Sequence, residues 1–265
     1  HCYRMLGSGS EAEDAVQETM LRAWQSADRF EGRSSVRTWL YRIATNVCID
    51  MGRSPQRRAR PVDLGPARTP EAVHLTDVLP AGSWITPIPD AAVIDLHADP
   101  ADVAAARDTI RLAFVATLQR LPARQRAAIV LCDVLRWSAA EVAELLDTSI
   151  ASVNSSLQRA RATLADQPAT TPSMPMTDEQ RQLLDRFVSA FERYDADALA
   201  GLLHDDVIQT MPPYAMWLQG RDDVLTWWFG PGIGCQGSRL LAGQANGSTP
   251  LSDHALLSIR IPRSG

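Results

Sequence analysis

The sequence predicts a multidomain chain, two all-α modules followed by an α+β module. Three observations carry this. Apolar residues recur every three to four positions through residues 10–52 and 100–165, the helical period. Two stretches break that period: eight prolines fall between positions 55 and 100, and "DQPATTPSMPM" occupies 166–176. After Asp205 the texture turns to short β-rich runs separated by Gly and Pro. The expected boundaries are 1–54, 55–99, 100–165, 166–176 and 177–265.

In the first module, Ser10 with Glu13 reads as a capping box, which places a helix over "EAEDAVQETMLRAWQ". Ala12, Val16, Met20, Ala23 and Trp24 form its expected apolar face. After the loop "EGRSS", a second helix runs through "SVRTWLYRIATNVCID" to Gly52, with Val36, Leu40, Ile43 and Val47 as its stripe. In the second module, Asp99-Pro100 is a cap followed by proline and starts a helix expected to run through 101–121. Pro122 opens another over "PARQRAAIVLCDVLRW". Ser138 with Glu141 is a further capping box, and residues 138–164 read as two short helices joined by a tight turn. In the third module, Thr177 with Gln180 caps an amphipathic helix carrying Leu183, Leu184, Phe187, Val188 and Phe191. "DVIQTMPPY", "SRLLAGQAN" and "HALLSIRI" are the expected strands, with "GRDDVLTWWFG" a short helix between them.

Composition narrows the function classes. No run of apolar residues is long enough to span a membrane, and no signal segment opens the chain. Cys2, Cys48, Cys132 and Cys235 are scattered with no Cys-x-x-Cys or Cys/His grouping, so neither a zinc site nor a disulfide framework is expected; no metal or cofactor is called for, and a reducing cytoplasmic setting fits. All 26 basic residues are Arg, so phosphate contacts fall to guanidinium, hydroxyl and backbone N–H groups. The net charge of −5 hides an alternation. Residues 1–60 carry 10 Arg against 7 acids (+3) and 107–165 carry 8 against 5 (+3), whereas 61–106 carry 1 against 7 (−6) and 166–265 carry 7 against 12 (−5). Two basic blocks in an acidic chain are two candidate nucleic-acid surfaces.

The helix expected at 150–164 has a core arc of about 80° made by Ile150, Val153, Leu157, Ala160 and Leu164. Ser152, Ser155, Gln158 and Arg159 face the other way, small or long polar donors suited to a major groove, with Ser149 as N-cap. An ordinary helical hairpin is the competing reading. The exposed face is nearly free of acids, which favours DNA, but few cations imply weak binding without a tether. On the first helix Asp14, Gln17, Glu18 and Leu21 share one arc, either a solvated acidic face or an apolar residue ringed by polar groups where a basic helix docks. On the second, Trp39, Arg42 and Asn46 share a face beside "FEGRSSVR", a set able to stack and read single-stranded bases; a core role for Trp39 is the alternative.

These segments carry a resemblance. "DAVQETMLRAW" with "RFEGRSSVRTWLYRIATNVCID" resembles region 2 of an extracytoplasmic-function (ECF) sigma factor of the sigma-70 family, and "LPARQRAAIVLCDVLRWSAAEVAELLDTSIASVNSSLQRARATL" resembles region 4. The resemblance covers roughly 110 residues in the family's order. It implies that Asp14, Gln17, Glu18 and Leu21 dock on the β′ coiled coil of core RNA polymerase, that region 4 meets the β flap, and that an anti-sigma factor is a further candidate partner. It implies that Arg33, Ser34, Ser35, Arg37, Trp39, Arg42 and Asn46 capture the melted −10 element. It also implies that Ser152, Asn154, Ser155, Gln158, Arg159 and Arg161 serve the −35 element, and that the acidic linker threads the polymerase cleft. Many members carry Lys or Arg where Asn154 and Ser156 stand, which unsettles the −35 preference. The first helices of region 2 are missing from the match, so an N-terminal truncation is expected.

"FVSAFERYDADALAGLLHDDVIQTMPPYAMWLQGRDDVLTWW" resembles a SnoaL-like domain, a cone-shaped curved sheet with helices, as in sigma factors of the sigma-G and sigma-J type, where it regulates the sigma regions. The resemblance fades after Asn246, so an incomplete domain with an unpaired sheet edge is expected. Such folds include cyclases and isomerases. Here Met211, Tyr214, Trp217, Trp227 and Trp228 could line an apolar pocket near His204, Asp205 and Asp206. Turn and capping roles explain those acids without chemistry, so no enzyme activity is expected. The reading overall is a promoter-specificity subunit of RNA polymerase, cytoplasmic, with a regulatory tail. The alternative is a stand-alone helix-turn-helix regulator with a ligand-sensing tail.

Overall fold

A computed structural model of the chain describes residues 1–52, 65–72, 78–79, 83–165, 177–212, 214, 216–242, 245–247 and 257–260. The expected linker at 166–176 lies outside the described residues, as do 55–64, 73–77 and 80–82 of the first linker and both ends of the expected strand at 254–261. The chain divides into two compact units, His1–Arg58 with Ile85–Pro172, and Ala59–Trp84 with Ser173–Gly265.

The first unit is helical. Its elements are α1 (Cys2–Leu6), α2 (Gly9–Gln25), α3 (Val36–Met51), α4 (Asp90–Val93), α5 (Pro100–Asp108), α6 (Leu112–Gln119), α7 (Ala123–Ile129), α8 (Ala139–Leu145) and α9 (Ile150–Ala165). Both expected sigma-like segments contribute to one apolar core, from Tyr3, Met5 and Leu6 of α1 through Val47 of α3 to Leu118, Leu131, Val142 and Val153. The node is α1. Arg126 of α7 is buried and donates to Met5 O of α1, to Gln119 Oε1 (2.6 Å), and to the carbonyls of Leu118 (2.9 Å), Gln119 (3.3 Å) and Leu121 (2.9 Å). A buried guanidinium needs its donors satisfied, and here carbonyls do it. Arg4 donates to Thr109 O (3.2 Å) and Oγ1 (2.6 Å), and Tyr3 OH to Thr86 O (3.0 Å). Gly7 ends α1 at φ +69°, and a Cβ there would sit 2.9 Å from the Gln119 side chain, so both backbone and space demand glycine.

Several expected elements shift. The N-cap of α2 is Ser8, accepting from Glu11 N, rather than Ser10, because the chain leaves α1 already turned into the helix. The expected face of α2 also rotates. Ala12, Ala15, Thr19 and Ala23 are buried, while Val16 (44%), Met20 (53%) and Trp24 (77%) are exposed. Small residues let α1 and α3 approach closely, and the large ones are left outside that contact. Val36 at the start of α3 is exposed for the same reason, lying beyond the reach of the core. The helix expected over 101–121 breaks at Thr109–Arg111. Thr109 turns its carbonyl to Arg4 and Ile110 enters the core fully buried. The helix expected from Pro122 ends in a π-helical turn, Val130–Val134, closed by Leu135 N to Val130 O (3.0 Å). The boxes at Ser138–Glu141 and Thr177–Gln180 and the cap at Asp99 form as expected.

The second unit is mixed. It contains α10 (Asp178–Arg193), α11 (Ala196–Ala200), β1 (Ile208–Thr210), β2 (Trp217–Gln219), α12 (Arg221–Phe229), β3 (Arg239–Ala242) and β4 (Leu257–Arg260). Among the described residues the strands form two antiparallel pairs, β1–β2 with Gln209 opposite Leu218, and β3–β4 with Leu240 opposite Ile259. β2 was not among the expected strands; three residues are too few to show a period. Phe187, Phe191 and Trp228 pack as an aromatic group, with Phe191 and Trp228 edge to face at 5.4 Å. Part of the expected linker belongs to this unit. Trp217 Nε1 donates to Gly65 O (2.8 Å), Arg68 N to Trp217 O (2.9 Å), a short turn at Pro70–Ala72 packs on α12, and Val78 bridges to Tyr214.

Candidate nucleic-acid interface

The α8–α9 pair is a helix-turn-helix. Ser138 Oγ accepts from Glu141 N (3.3 Å), while the Glu141 carboxylate accepts from Ser138 Oγ (2.6 Å) and from Ser138 N (2.8 Å), and these bonds, the hydroxyl first, hold the Glu141 carboxyl below its ordinary range. Asp147 takes a left-handed conformation (φ +50°), and Thr148 N returns to Ala143 O (2.9 Å), which makes the turn short. Ser149 Oγ accepts from Ser152 N (3.1 Å), the expected cap of α9. Of the expected stripe, Val153, Leu157 and Ala160 are buried and Leu164 is half-buried, while Ile150, in the first turn, is exposed; Ser152, Ser155, Gln158 and Arg159 are exposed on the opposite side, with Asn154 exposed at its edge. No acidic side chain occurs within α9. Arg161 is placed differently. It lies about 120° around the helix from Ser155, on the flank it shares with Asn154, and its guanidinium binds the Asp133 carboxylate at 2.7 and 3.0 Å.

In α3, Ser35 is the N-cap, its Oγ accepting from Thr38 N (3.0 Å). Arg33, Ser34, Arg37, Arg42 and Asn46 are exposed. Arg33 pairs with Glu31 (2.6 Å), and the Arg37 guanidinium lies 5.7 Å from the centre of the Tyr41 ring. Trp39 is half-buried, its ring against Phe30 at 4.9 Å, so one face is packed while part stays open for stacking. On α2, Asp14, Gln17 and Leu21 are exposed, and Glu18 is half-exposed with Arg22 Nε at 2.6 Å. These four lie in one arc of about 100°, next to the exposed Val16, Met20 and Trp24.

In the second unit the expected pocket residues serve as packing. Trp227 is buried under Gly232, and Met211, Tyr214 and Trp228 pack around it with Leu218 and Val224. Trp217 holds the Gly65 carbonyl. A shallow cleft lies elsewhere, on α10 and α11, lined by Asp185, Arg186, Ser189 and Arg193 among others. His204 pairs with Asp206 (2.5 Å), and Asp205 with Arg221, all near the surface. Among the described residues no His/Cys/Asp/Glu group could hold a metal ion, and no helix is long and apolar enough to cross a membrane. All four cysteines are free; Cys2 and Cys48 are buried together and share a hydrogen bond that draws the Cys2 thiol down to about 7 and pushes Cys48 up.

Sequence reasoning missed Arg126, Arg4 and Asp133. Arginines read as surface groups by default. The only available signal was the position of Arg126 directly before "AAIVL".

Comparison with known proteins gives these surfaces a family. The sigma-70 region 2 family model matches residues 1–58, and the sigma-70 region 4 model matches residues 111–164. The ECF RNA polymerase sigma factor SigJ of Mycobacterium tuberculosis (strain ATCC 25618 / H37Rv) is 31% identical over 244 residues, 87% of this chain and 70% of SigJ. The chain belongs to the ECF RNA polymerase sigma factor family. SigG of Mycobacterium tuberculosis (strain CDC 1551 / Oshkosh) is 47% identical over 232 residues, 85% of this chain. The chain spans 61% of the length of SigG. The crystal structure of Mycobacterium tuberculosis SigJ superposes with a TM-score of 0.51 at 25% identity, covering 98% of this chain and 84% of that one. The sigma region 2 and region 4 segments therefore lie in the first unit.

Proposed function

We propose that this ECF family member is a promoter-specificity subunit of RNA polymerase. One observation carries the reading: within a chain of this family, α9 presents an acid-free, exposed row of Asn154, Ser155, Gln158 and Arg159 on a capped helix-turn-helix. That row reads the −35 element in the major groove, with Ser152 alongside. Arg33, Ser34, Ser35, Arg37, Arg42 and Asn46 hold the melted −10 strand, with Trp39 as the stacking ring. Asp14, Gln17, Glu18 and Leu21 dock on the β′ coiled coil of core polymerase, and region 4 meets the β flap. The domain boundaries 1–54, 100–165 and 177–265 follow the same reading. An anti-sigma factor is a further partner, and the cytoplasm is the site of action.

Regions 2 and 4 share one core, with α7 bonded to α1. The −35 and −10 elements lie about 25 base pairs apart, on the order of 85 Å at 3.4 Å per pair. Promoter binding then requires this seam to open, and core polymerase supplies the energy. The second unit is read as a SnoaL-like regulatory tail without catalysis of its own. Its support is that residues 65–72, part of the connection between regions 2 and 4, fold with β2 and α12.

Run-off transcription of fragmented GC-rich genomic DNA by core polymerase, with and without the chain, tests the reading. Discrete new start sites are expected. Their absence, both with this chain and with one extended to the length of SigG, would transfer the case to a stand-alone regulator, which binds DNA without polymerase.

A further inference from the structure

We infer that Asp133 and Arg161 act as a positioning pair that sets the aim of the recognition helix, and that Arg161 is not itself a phosphate contact. The inference rests on the reading of α9 as the −35 reader. Three observations converge on it. Arg161 sits about 120° away from Ser155 and about 160° from Arg159, on the flank it shares with Asn154 beside the core edge formed by Leu157 and Leu164. Its guanidinium makes two parallel bonds to one carboxylate, Nη2 to Oδ1 at 2.7 Å and Nε to Oδ2 at 3.0 Å, the geometry that fixes direction as well as distance. Asp133 projects from the π-helical turn Val130–Val134, a local widening that recurs at functional positions.

The pair spans 28 residues and bypasses α8 and the turn. It ties the C-terminal half of α9 directly to the end of α7. The contacts of the buried Val153, Leu157 and Ala160 are non-directional, so they fix the rotation of α9 less sharply than a directional bond does. A bidentate bond on one flank resists a roll of the helix. Rotation of α9 would swing Ser155, Gln158 and Arg159 together off the base edges. Side-chain exposures of 58% for Arg161 and 34% for Asp133 make the pair a modest stabiliser of the fold, so its effect should appear in specificity.

The test uses the full chain bound to core RNA polymerase at low ionic strength. A duplex is selected by that complex from a random-sequence pool, and Kd for that duplex and for a scrambled one is measured against salt. Asp133→Asn and Arg161→Gln should each weaken the selected duplex by about three- to fivefold, in line with a well-formed bidentate pair. The scrambled duplex and the salt slope should not change, and the melting temperature should fall by no more than a few degrees. The double variant should be no worse than either single one, and the exchange Asp133→Arg with Arg161→Asp should recover most of the loss. If instead Arg161→Gln weakens both duplexes and lowers the salt slope by about 0.9 while Asp133→Asn strengthens binding, Arg161 is a phosphate contact restrained by Asp133, and the inference falls. It falls equally if every variant binds as the parent does. A parent complex that selects no sequence removes the −35 reading itself, and the role of the pair with it.

Discussion

Helices α2 and α9 are similar in length and were read from the same kind of pattern, yet they settle differently. In α9 the expected stripe is buried at Val153, Leu157 and Ala160, half-buried at Leu164 and exposed at Ile150 in the first turn. In α2 the expected large residues Val16, Met20 and Trp24 stay exposed, and the buried positions are Ala12, Ala15, Thr19 and Ala23. The recognition helix packs through its big side chains and shows polar groups outward. The α2 helix packs through its small ones and shows both apolar and acidic groups outward. An apolar period therefore identifies a helix, but close packing between short helices can select the small residues beside the stripe. The outward face of α2 is the proposed docking surface, whereas the outward face of α9 is the proposed reading surface.

The largest test of that contrast is Glu18→Arg. Reversing a charge within the proposed docking arc should weaken binding to core polymerase by more than about a hundredfold, measured by co-elution or fluorescence titration. The fold should survive, because Glu18 is half-exposed and loses only its helical pair with Arg22, worth about 0.2–0.5 kcal/mol. Unchanged binding would displace region 2 from the polymerase.

Next come paired substitutions measured by chemical unfolding. Leu157→Ala in α9 should cost about 2–4 kcal/mol as a buried large-to-small change, while Met20→Ala in α2 should stay within about 0.5 kcal/mol. Ala15→Leu, at a fully buried position against its neighbours, should cost about 1–3 kcal/mol through overpacking. Equal costs for Met20→Ala and Leu157→Ala would mean that α2 buries the face the sequence predicted.

The smallest effect concerns the cap that aims α8 and α9. Ser138→Ala should lower the melting temperature by a few degrees at neutral pH. Hydrogen bonds from Ser138 hold the Glu141 carboxyl low, so this contribution is present above the unfolded carboxylate value and is lost as pH falls through the folded one. The gap between variant and parent should accordingly narrow in acid. A gap independent of pH would mean that the Glu141 half of the box contributes nothing.

Much of the site was legible in the chain because its signals are local. Ser138 with Glu141, Ser149 before α9, and the polar row at Ser152, Ser155, Gln158 and Arg159 depend on spacings of a few residues, which helical geometry converts directly into faces. So do the exposed Asp14, Gln17, Arg42 and Asn46. Family resemblance then assigned those faces to partners. The tail was less legible, since β2 is three residues long and Trp217 makes its hydrogen bond to Gly65, 152 residues away.

By itself, the sequence determined the helical modules, the caps at Asp99, Ser138, Ser149 and Thr177, the turn between α8 and α9 and the acid-free polar face of α9, since each rests on backbone hydrogen bonds and periodicity within one or two turns. Only the tertiary structure decided the rest. It set which side of α2 is buried, broke the expected helix at Thr109, brought Arg126 to the carbonyl of Met5, and closed Asp133 on Arg161. The physical reason is common to all four. Each depends on what another segment offers across tens of residues or more, a small surface to approach, a carbonyl to satisfy or a charge to meet, and no local spacing encodes the partner's position.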